Sequence, residues 1–198
     1  INLYFWDYND VAAGYFAAAS HAARQKEVGV IVIHVARPDF IVADRSGFAD
    51  PDIRAAAKGI YLIRDYDPDR PPMGTVWVQG SSSTVNLLKA LPRLEEAGVN
   101  VRVGAVISTE LFELQDAAYR ERVLPDAARF DAMVVSTMTR RVPPIANLGP
   151  MTEAYSLYAD NDDRWRTGGT EPDVIAEAGL DVDSIYEVPL LFHQEGLD

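Results

Sequence analysis

The chain has 198 residues, of which 48% are hydrophobic and 24% charged, and a formal net charge of −12; this is ordinary for a globular protein and enough for one large domain or a small domain with part of another. The acidic balance argues against nucleic-acid binding, because an acidic surface repels phosphate backbones, and no apolar run approaches the ~18 residues that span a bilayer. The absence of cysteine excludes disulfides and thiolate chemistry and fits a reducing compartment such as the cytoplasm.

The first residues, from Ile1, contain neither a basic region nor an initiator methionine, so they do not resemble a signal peptide. The chain is therefore expected to be a piece of a longer polypeptide. Residues 3–6 form a predicted strand, and Asp7 or Asn9 can cap the helix that follows, which extends to about residue 26. The side chains predicted on one face of this helix are Tyr15, Phe16 and Ala19.

The apolar run Val30–Val35 is typical of a strand that is covered on both faces. Asp50 and Pro51 predict the start of a short helix that reaches about residue 58, and residues 60–63 form the next predicted strand. Asp65–Gly74 has three prolines and four charged residues, a composition that predicts a linker.

Beyond this linker the pattern predicts a βαβ unit, because a strand at 75–79 precedes an apolar helical stripe that ends at Gly98. A strand at 99–107, a helix at 111–122 and a strand at 132–136 follow. Alternation of this kind favours an α/β fold with a mainly parallel sheet. The remaining predicted elements are an irregular loop at 139–150, a helix at 151–158, a helix from Thr170 that ends at Gly179, and a short turn that begins at Asp181.

The sequence of Gln115–Pro125, which follows Ser108–Phe112, resembles a segment of the C-terminal domain of transketolases. That family has Phe-x-x-Gln-Asp-x-x-Tyr-Arg-x-x-Val-Leu-Pro at the same strand-to-helix position. Other segments are similar to family segments in the same order: Lys58–Leu62, Gln79–Ser83, Ala97–Val103, Gly168–Pro172 and Ala178–Ile185.

The resemblance implies a domain division. Residues 1–66 would be the C-terminal part of a pyrimidine-binding-like α/β domain, 67–74 a linker, and 75–198 a transketolase C-terminal-like domain with a three-layer, open, mainly parallel sheet. The last ten residues do not match the family's terminal helix and have no assigned role beyond a docking tail.

Arg37 is the one substrate contact that the resemblance implies. Val35–Phe40 occupies the place of the family's Leu-Ser-Arg-Gln-Asn-Leu, whose arginine reaches the sugar phosphate. A guanidinium fork suits a phosphate, and ligands collect beyond the carboxyl ends of strands in open α/β sheets. Pro38 replaces the family's glutamine, and pairing of Arg37 with an acid such as Asp39 or Asp44 stays open as an alternative.

The resemblance also implies which parts lie elsewhere. The complete enzyme would move two-carbon ketol units between phosphosugars in the pentose phosphate pathway, with thiamine diphosphate and Mg²⁺ or Ca²⁺ bound mostly outside this chain. We expect no catalytic, cofactor-binding or metal-binding residue here. The implied partners are the upstream thiamine-diphosphate-binding part, a homodimer partner and phosphosugars, and the chain alone is expected to be inactive.

Other short segments are weaker candidates for anion or metal sites. Gly80–Ser83, at a predicted helix start, can either bind an anion or cap the helix; it has no lysine and is not a nucleotide P-loop. Asp160–Asp163 lacks the glycine and the final glutamate of a calcium loop, which predicts a solvated turn. The chain has three histidines, His21, His34 and His193. They are far apart in the sequence and do not have the spacing that is typical of metal ligands.

Two alternative functions stay open. One is a component of a 2-oxo acid (pyruvate) dehydrogenase, which shares this architecture, although the Gln115–Pro125 run argues against it. The other is a stand-alone, non-catalytic binding or regulatory module that reuses the domain. The gene upstream of Ile1 would discriminate between them, since a thiamine-diphosphate motif there would favour an enzyme.

Overall fold

The computed structural model describes residues 1–25, 29–34, 41–164, 166 and 168–195. The first elements are β1 (Asn2–Tyr4), α1 (Tyr8–Arg24), β2 (Val32–His34), a 3-10 helix (Ala55–Lys58), β3 (Ile60–Arg64), β4 (Thr75–Gln79) and α2 (Ser81–Glu96). The rest are β5 (Arg102–Val106), α3 (Thr109–Glu113), α4 (Ala117–Val123), α5 (Ala127–Phe130), β6 (Ala132–Ser136), α6 (Pro150–Tyr155), β7 (Leu157–Tyr158), α7 (Glu171–Glu177) and α8 (Val182–Glu195).

The strands within these ranges form two sheets. β1 and β2 pair in parallel, with Asn2 opposite Val32 and Tyr4 opposite His34. The larger sheet has five strands in the order β3-β5-β4-β6-β7, and its pairs are parallel apart from the antiparallel β3–β5 pair. The predicted α/β class with a mainly parallel sheet is therefore confirmed.

Both faces of the five-stranded sheet are covered, which gives three layers. Successive side chains of a strand point to opposite faces, so Val76 and Val78 pack under Leu87 of α2, while Trp77 packs with Phe112 on the other face. The first of these clusters continues into Leu3, Phe5 and Trp6, and into Ala18 of α1. The two sheets therefore share one apolar core.

β3 precedes the predicted linker in sequence but belongs to the larger sheet. Ile60 lies opposite Val106 and Leu62 opposite Gly104, and the family resemblance also begins near this strand. The boundary at 67–74 stays a prediction.

The packing of the first βαβ unit differs from two expectations. Tyr15 and Phe16 are exposed, and the buried face of α1 holds Asp10, Gly14 and Ala18. Gly14 explains the choice of face: a Cβ there would lie 2.7 Å from the ring of Phe5, so small residues let α1 approach β1 closely.

The expectation that the Val30–Val35 strand is covered on both faces is wrong within the described residues. β2 spans Val32–His34, and Val32 and Ile33 are both 40% exposed. The sheet to which β2 belongs has two strands here, so little of the described chain lies against it.

Three predicted helices have different limits in the structure. The helix expected at 111–122 is two helices, because the side chain of Asp116 accepts from Tyr119 N–H and begins α4. The segment after Tyr155 leaves the helix to pair with β6 as β7. The short turn expected at Asp181 is the 14-residue helix α8, which packs along α2.

The central strands are held together by a close contact between an indole and a glycine. Trp77 lies opposite Gly104 on the neighbouring strand, and its Nε1–H donates to the carbonyl of Ala128 at 2.9 Å. A Cβ at position 104 would overlap the fully buried Trp77 ring.

We expect Gly104→Ala to lower the free energy of unfolding by about 1–3 kcal/mol, because the added methyl group forces the ring or the strand to move. Denaturant unfolding measures the change. Gly47→Ala is the matched control, since nothing lies within 4 Å of a Cβ at that position. Equal stability of the two variants would contradict the packing described.

Candidate functional site

A buried ion network lies where β1 passes into α1. Nη2 of Arg45 is 2.5 Å from Oδ1 of Asp10 and 3.4 Å from Oδ1 of Asp7. Tyr61 of β3 donates from its hydroxyl to Oδ2 of Asp10 at 3.1 Å, and Trp6 Nε1–H donates to that hydroxyl at 2.8 Å. The network therefore joins β1, α1, the segment around Arg45, and β3.

Burial governs the electrostatics of this network. Asp7, Asp10 and Tyr61 are fully buried, and Arg45 is 5% exposed. Burial raises the pKa of Asp10 to about 6; the charge of Asp7 adds to the rise, and Arg45 opposes it. Burial, with the charge of Asp10, also raises the pKa of Tyr61 well above its usual value.

Aromatic rings surround the remaining N–H groups of Arg45. Its guanidinium carbon is 5.7 Å from the ring centre of Trp6, 6.0 Å from that of Phe48 and 5.3 Å from that of Tyr61, while Nε and Nη1 have no hydrogen-bond partner among the described residues. Such contacts partly offset the loss of water around the cation. Perturbed carboxyls often mark catalytic sites, but Asp7 and Asp10 are fully buried and paired with Arg45, so we interpret the network as structural.

One member of this network is predictable from the sequence, and the others are not. Asp7 caps α1, as predicted, by accepting from Asn9 N–H. Asp10 and Arg45 were not singled out. The available signal was an Asp-x-x-Asp spacing at a helix start, but the spacing does not reveal a partner that lies 35 residues away.

The segment that carries the family resemblance makes structural contacts. Tyr119 donates from its hydroxyl to the carbonyl of Ile60 at 2.8 Å. Arg122 contacts the Asp50 carboxylate at 2.9 Å, and its carbonyl accepts from Arg102 at 2.6 Å. These contacts fasten β3 and the segment before it to the edge of the sheet, so Gln115–Pro125 acts as a brace.

The topology places a cleft between the carboxyl ends of β4 and β6. The chain leaves β4 toward β5 through α2 and returns from β5 to β6 on the other side of β4. Connections diverge at such a point, and ligands of open α/β sheets bind there. The carboxyl ends of β1 and β2 face the same place, since Tyr4 N–H donates to the carbonyl of Ile107 at 2.9 Å.

This cleft, which we call the switch-point cleft, has a volume of about 450 Å³. It is lined by residues from the ends of four strands: Tyr4, Phe5, Ile33, His34, Gly80, Ser81, Thr137 and Met138. No carboxylate is among these lining residues. Tyr4 and His34 stack with ring centres 4.2 Å apart and form a flat wall.

The candidate residues from the sequence have mixed outcomes. Arg37 lies outside the described residues, so its predicted phosphate contact stays a prediction. His21 lies in the last turn of α1, and His34 ends β2 at the cleft. The side chain of His193 is outside the described part of the chain. These positions bring His34 and Gly80–Ser83 together and leave His21 apart.

The Asp160–Asp163 turn is an ion-pair cluster. Asp162 contacts Arg164 and Arg166, and Asp163 contacts Arg140. Within the ranges that the structure describes, no group of three or more potential ligand side chains could hold a metal ion. No helix in those ranges has the length and hydrophobicity needed to cross a membrane.

Comparisons with known proteins point to one family. A family model for the transketolase-like TK C-terminal domain matches residues 59–146. A probable transketolase of Streptococcus pneumoniae is 31% identical over 144 residues, covering 69% of this chain and 19% of that protein. Transketolase 1 of Pasteurella multocida is 31% identical over 109 residues, which cover 55% of this chain and 16% of that protein. The chain thus spans less than a fifth of the length of these relatives.

Solved structures share the fold. A Pichia stipitis transketolase in complex with sedoheptulose 7-phosphate matches 98% of this chain and 25% of its own, with a TM-score of 0.71 and 18% identity. A split-gene transketolase, described as an inactive β4 tetramer, matches 98% of this chain and 57% of its own, with a TM-score of 0.56 and 16% identity. At these identities the structures show a common architecture.

We expect Arg45→Met to lower the free energy of unfolding by about 3–5 kcal/mol, because it leaves two buried carboxyls without their cation. Arg54→Met is the matched control: Arg54 is 80% exposed and pairs with Asp52 at the surface, so its loss should leave stability essentially unchanged. Denaturant unfolding of both variants tests this, and equal effects would contradict a structural role for the network.

The raised pKa of Asp10 predicts that its contribution to the free energy of unfolding falls as the pH rises. The folded state holds the Asp10 proton up to about pH 6, whereas the unfolded chain releases it near its usual value, so this contribution to stability is lost as pH rises from about 4 to 6. Asp10→Asn should therefore gain about 3 kcal/mol relative to the unmodified chain between pH 4 and 7. Parallel stability–pH curves for the two proteins would contradict the prediction.

Proposed function

Because the chain corresponds to a C-terminal portion of the transketolase family, we propose that it works as that portion of a thiamine-diphosphate-dependent enzyme that transfers two-carbon ketol units between phosphosugars. The observation that carries this proposal is the continuous family match from residue 59 to 146. The same range contains Gln115–Pro125, the segment whose sequence first indicated the family. The reaction would belong to the pentose phosphate pathway and take place in the cytoplasm.

The proposed role of this chain is to brace the enzyme and complete its assembly. The division at 67–74 would separate the end of a pyrimidine-binding domain from the C-terminal domain. Exposed apolar side chains around β2 support a neighbour on that side: Val30 is 66% exposed and Val42 72%. We propose that the upstream part of the enzyme covers this surface.

A second apolar surface supports a further partner. Phe16 of α1 is 68% exposed and Ile53 is 58% exposed, and both line a mainly apolar groove that also includes Ala13 and Ala17. Monomeric proteins rarely expose contiguous apolar patches larger than a few hundred Å². We propose that the homodimer partner packs on or near this groove.

Arg37 is the proposed substrate contact. It lies three residues beyond His34, at the carboxyl end of β2, where ligands of α/β sheets gather. A guanidinium binds a sugar phosphate through two parallel hydrogen bonds, which fixes the orientation of the substrate as well as its affinity. Pro38 stands where the family has glutamine.

Thiamine diphosphate and its divalent metal do not fit the described residues. The metal needs several oxygen ligands, whereas the carboxylates of the acidic turn at 160–163 are occupied by arginines and by Thr139, and no other suitable group occurs in the described ranges. We propose that both bind mostly in the upstream part, where thiamine diphosphate supplies the carbanion chemistry.

The split-gene transketolase adds one feature to the proposal. That protein is described as an inactive β4 tetramer, and this chain covers 57% of it. We propose that the present chain, whether joined to the upstream part or encoded apart from it, is inactive until the two are combined. The two alternative functions are supported by no specific contact in the structure.

Reconstitution tests the proposal. We expect the chain alone to release no product from xylulose 5-phosphate and an aldose phosphate, and ketol transfer to appear when the upstream part is added with thiamine diphosphate and Mg²⁺. In the reconstituted enzyme, Arg37→Ala should raise KM for a phosphorylated acceptor about tenfold or more, since one charge-assisted contact is lost, and change KM for an unphosphorylated acceptor little.

Arg24→Ala is the matched control, because Arg24 is an exposed arginine at the end of α1. Activity of the chain alone would overturn the assignment of the cofactor to the upstream part. Equal effects of Arg37→Ala on both acceptors would remove Arg37 from the substrate site while leaving the family activity intact.

A further inference from the structure

We propose that the switch-point cleft binds the phosphate group of a small organic phosphate monoester at the N-terminus of α2. The proposal depends neither on the proposed contact at Arg37 nor on the proposed enzyme activity. It rests on four features of the described residues: free amides, an unpartnered buried hydroxyl, a close approach of two loops, and the largely apolar walls of the cleft.

The first turn of α2 offers backbone donors. The helix has 16 residues, and Gly80 at its N-cap makes no side-chain capping hydrogen bond. Thr84 N–H is the first to find an intrahelical carbonyl, that of Gly80; the amides of Ser81, Ser82 and Ser83 donate to no described residue. Free amides and the helix dipole favour a bound anion at such a terminus.

One serine hydroxyl points to a missing ligand independently of the helix. Ser81 lines the cleft and is 4% exposed, whereas Ser83 is fully buried and is not among the lining residues. The hydroxyl of Ser81 has no hydrogen-bond partner among the described residues. Buried polar atoms are almost always paired, because an unpaired one costs about 1–3 kcal/mol. A phosphate at the helix terminus would supply an acceptor.

Gly80 lets the loops after β4 and β6 meet at the floor of the cleft. Its φ of +91° favours glycine, and a Cβ there would overlap Oγ1 of Thr137. Thr137 N–H donates to the carbonyl of Gln79 at 3.3 Å. The start of α2 therefore lies directly against the side chain of Thr137, and both loops contribute to the lining of the cleft.

The rest of the cleft suits an organic group. The stacked rings of Tyr4 and His34 form one wall, and the side chains of Ile33 and Met138 belong to the lining. Small-molecule sites combine apolar walls with a few convergent polar groups. The nearest acid at the helix terminus is Glu171, whose carboxylate is 3.4 Å from the hydroxyl of Ser82; it is exposed and lies outside the lining.

The experiment titrates the ¹⁵N-labelled full chain with inorganic phosphate, a pentose 5-phosphate and a nucleoside monophosphate, and follows the amide signals of Ser81–Ser83. We expect saturable shifts at these amides with a Kd of about 1 mM or tighter for at least one monoester. The monoester should bind more tightly than inorganic phosphate because the walls contact its organic group. The unphosphorylated pentose should shift none of these amides.

Three variants distinguish a ligand site from simple helix capping. Ser81→Ala, which favours helix formation, should weaken binding about tenfold through the lost hydroxyl. Ser82→Asp should abolish binding while stabilising the helix start, since a carboxylate is favourable there. Glu171→Gln should tighten binding about twofold, because it removes a nearby negative charge.

Ser184→Ala is the matched control. Ser184 also lies in the first turn of a helix, but its hydroxyl is satisfied by Asp181 at 2.7 Å, so the variant should bind as the unmodified chain does. Absence of saturable shifts at Ser81–Ser83, unchanged affinity in Ser82→Asp, or equal shifts with the unphosphorylated pentose would each overturn the proposal.

Discussion

The contact between Arg45 and the carboxyls of Asp7 and Asp10 is the constraint on which the relative placement of the two sheets depends. A cation and two carboxyls without access to water have a large desolvation cost, which only correct geometry offsets. Tyr61 completes the network from the larger sheet, through its hydrogen bond to Asp10. The end of β1, the start of α1 and β3 can therefore adopt few other arrangements without leaving a charge unpaired.

That placement brings the carboxyl ends of four strands together. Tyr4 and His34 end the strands of the small sheet, and Gly80 and Thr137 follow two strands of the large one. The hydrogen bond from Tyr4 N–H to the carbonyl of Ile107, just after β5, holds these strand ends together and so forms the cleft. A chain whose described residues offer no metal-binding group thus still forms a concave, partly polar surface suited to a ligand.

The segment most similar to transketolases has a mechanical explanation. Tyr119 and Arg122 connect α4 to β3 and to Asp50, and Asp116 sets where α4 begins. The antiparallel edge strand is held by these contacts as well as by its pairing with β5. The residues that resemble the family in this region therefore hold an edge strand in place. This agrees with the structural role that we propose for this chain.

Local signals in the sequence were sufficient for the fold class, the order of most strands and helices, and ends such as the Asp7 cap and Gly98, whose φ is +83°. These features depend on residues within a turn or two of each other. The face of α1 that is buried, the break before Asp116 and the length of α8 required the tertiary structure, because each depends on a surface supplied from elsewhere in the chain. The same holds for the Arg45 network and the switch-point cleft: Asp10 meets Arg45 across 35 positions and Tyr61 across 51, and no periodic pattern of apolar residues encodes a contact between charges so far apart.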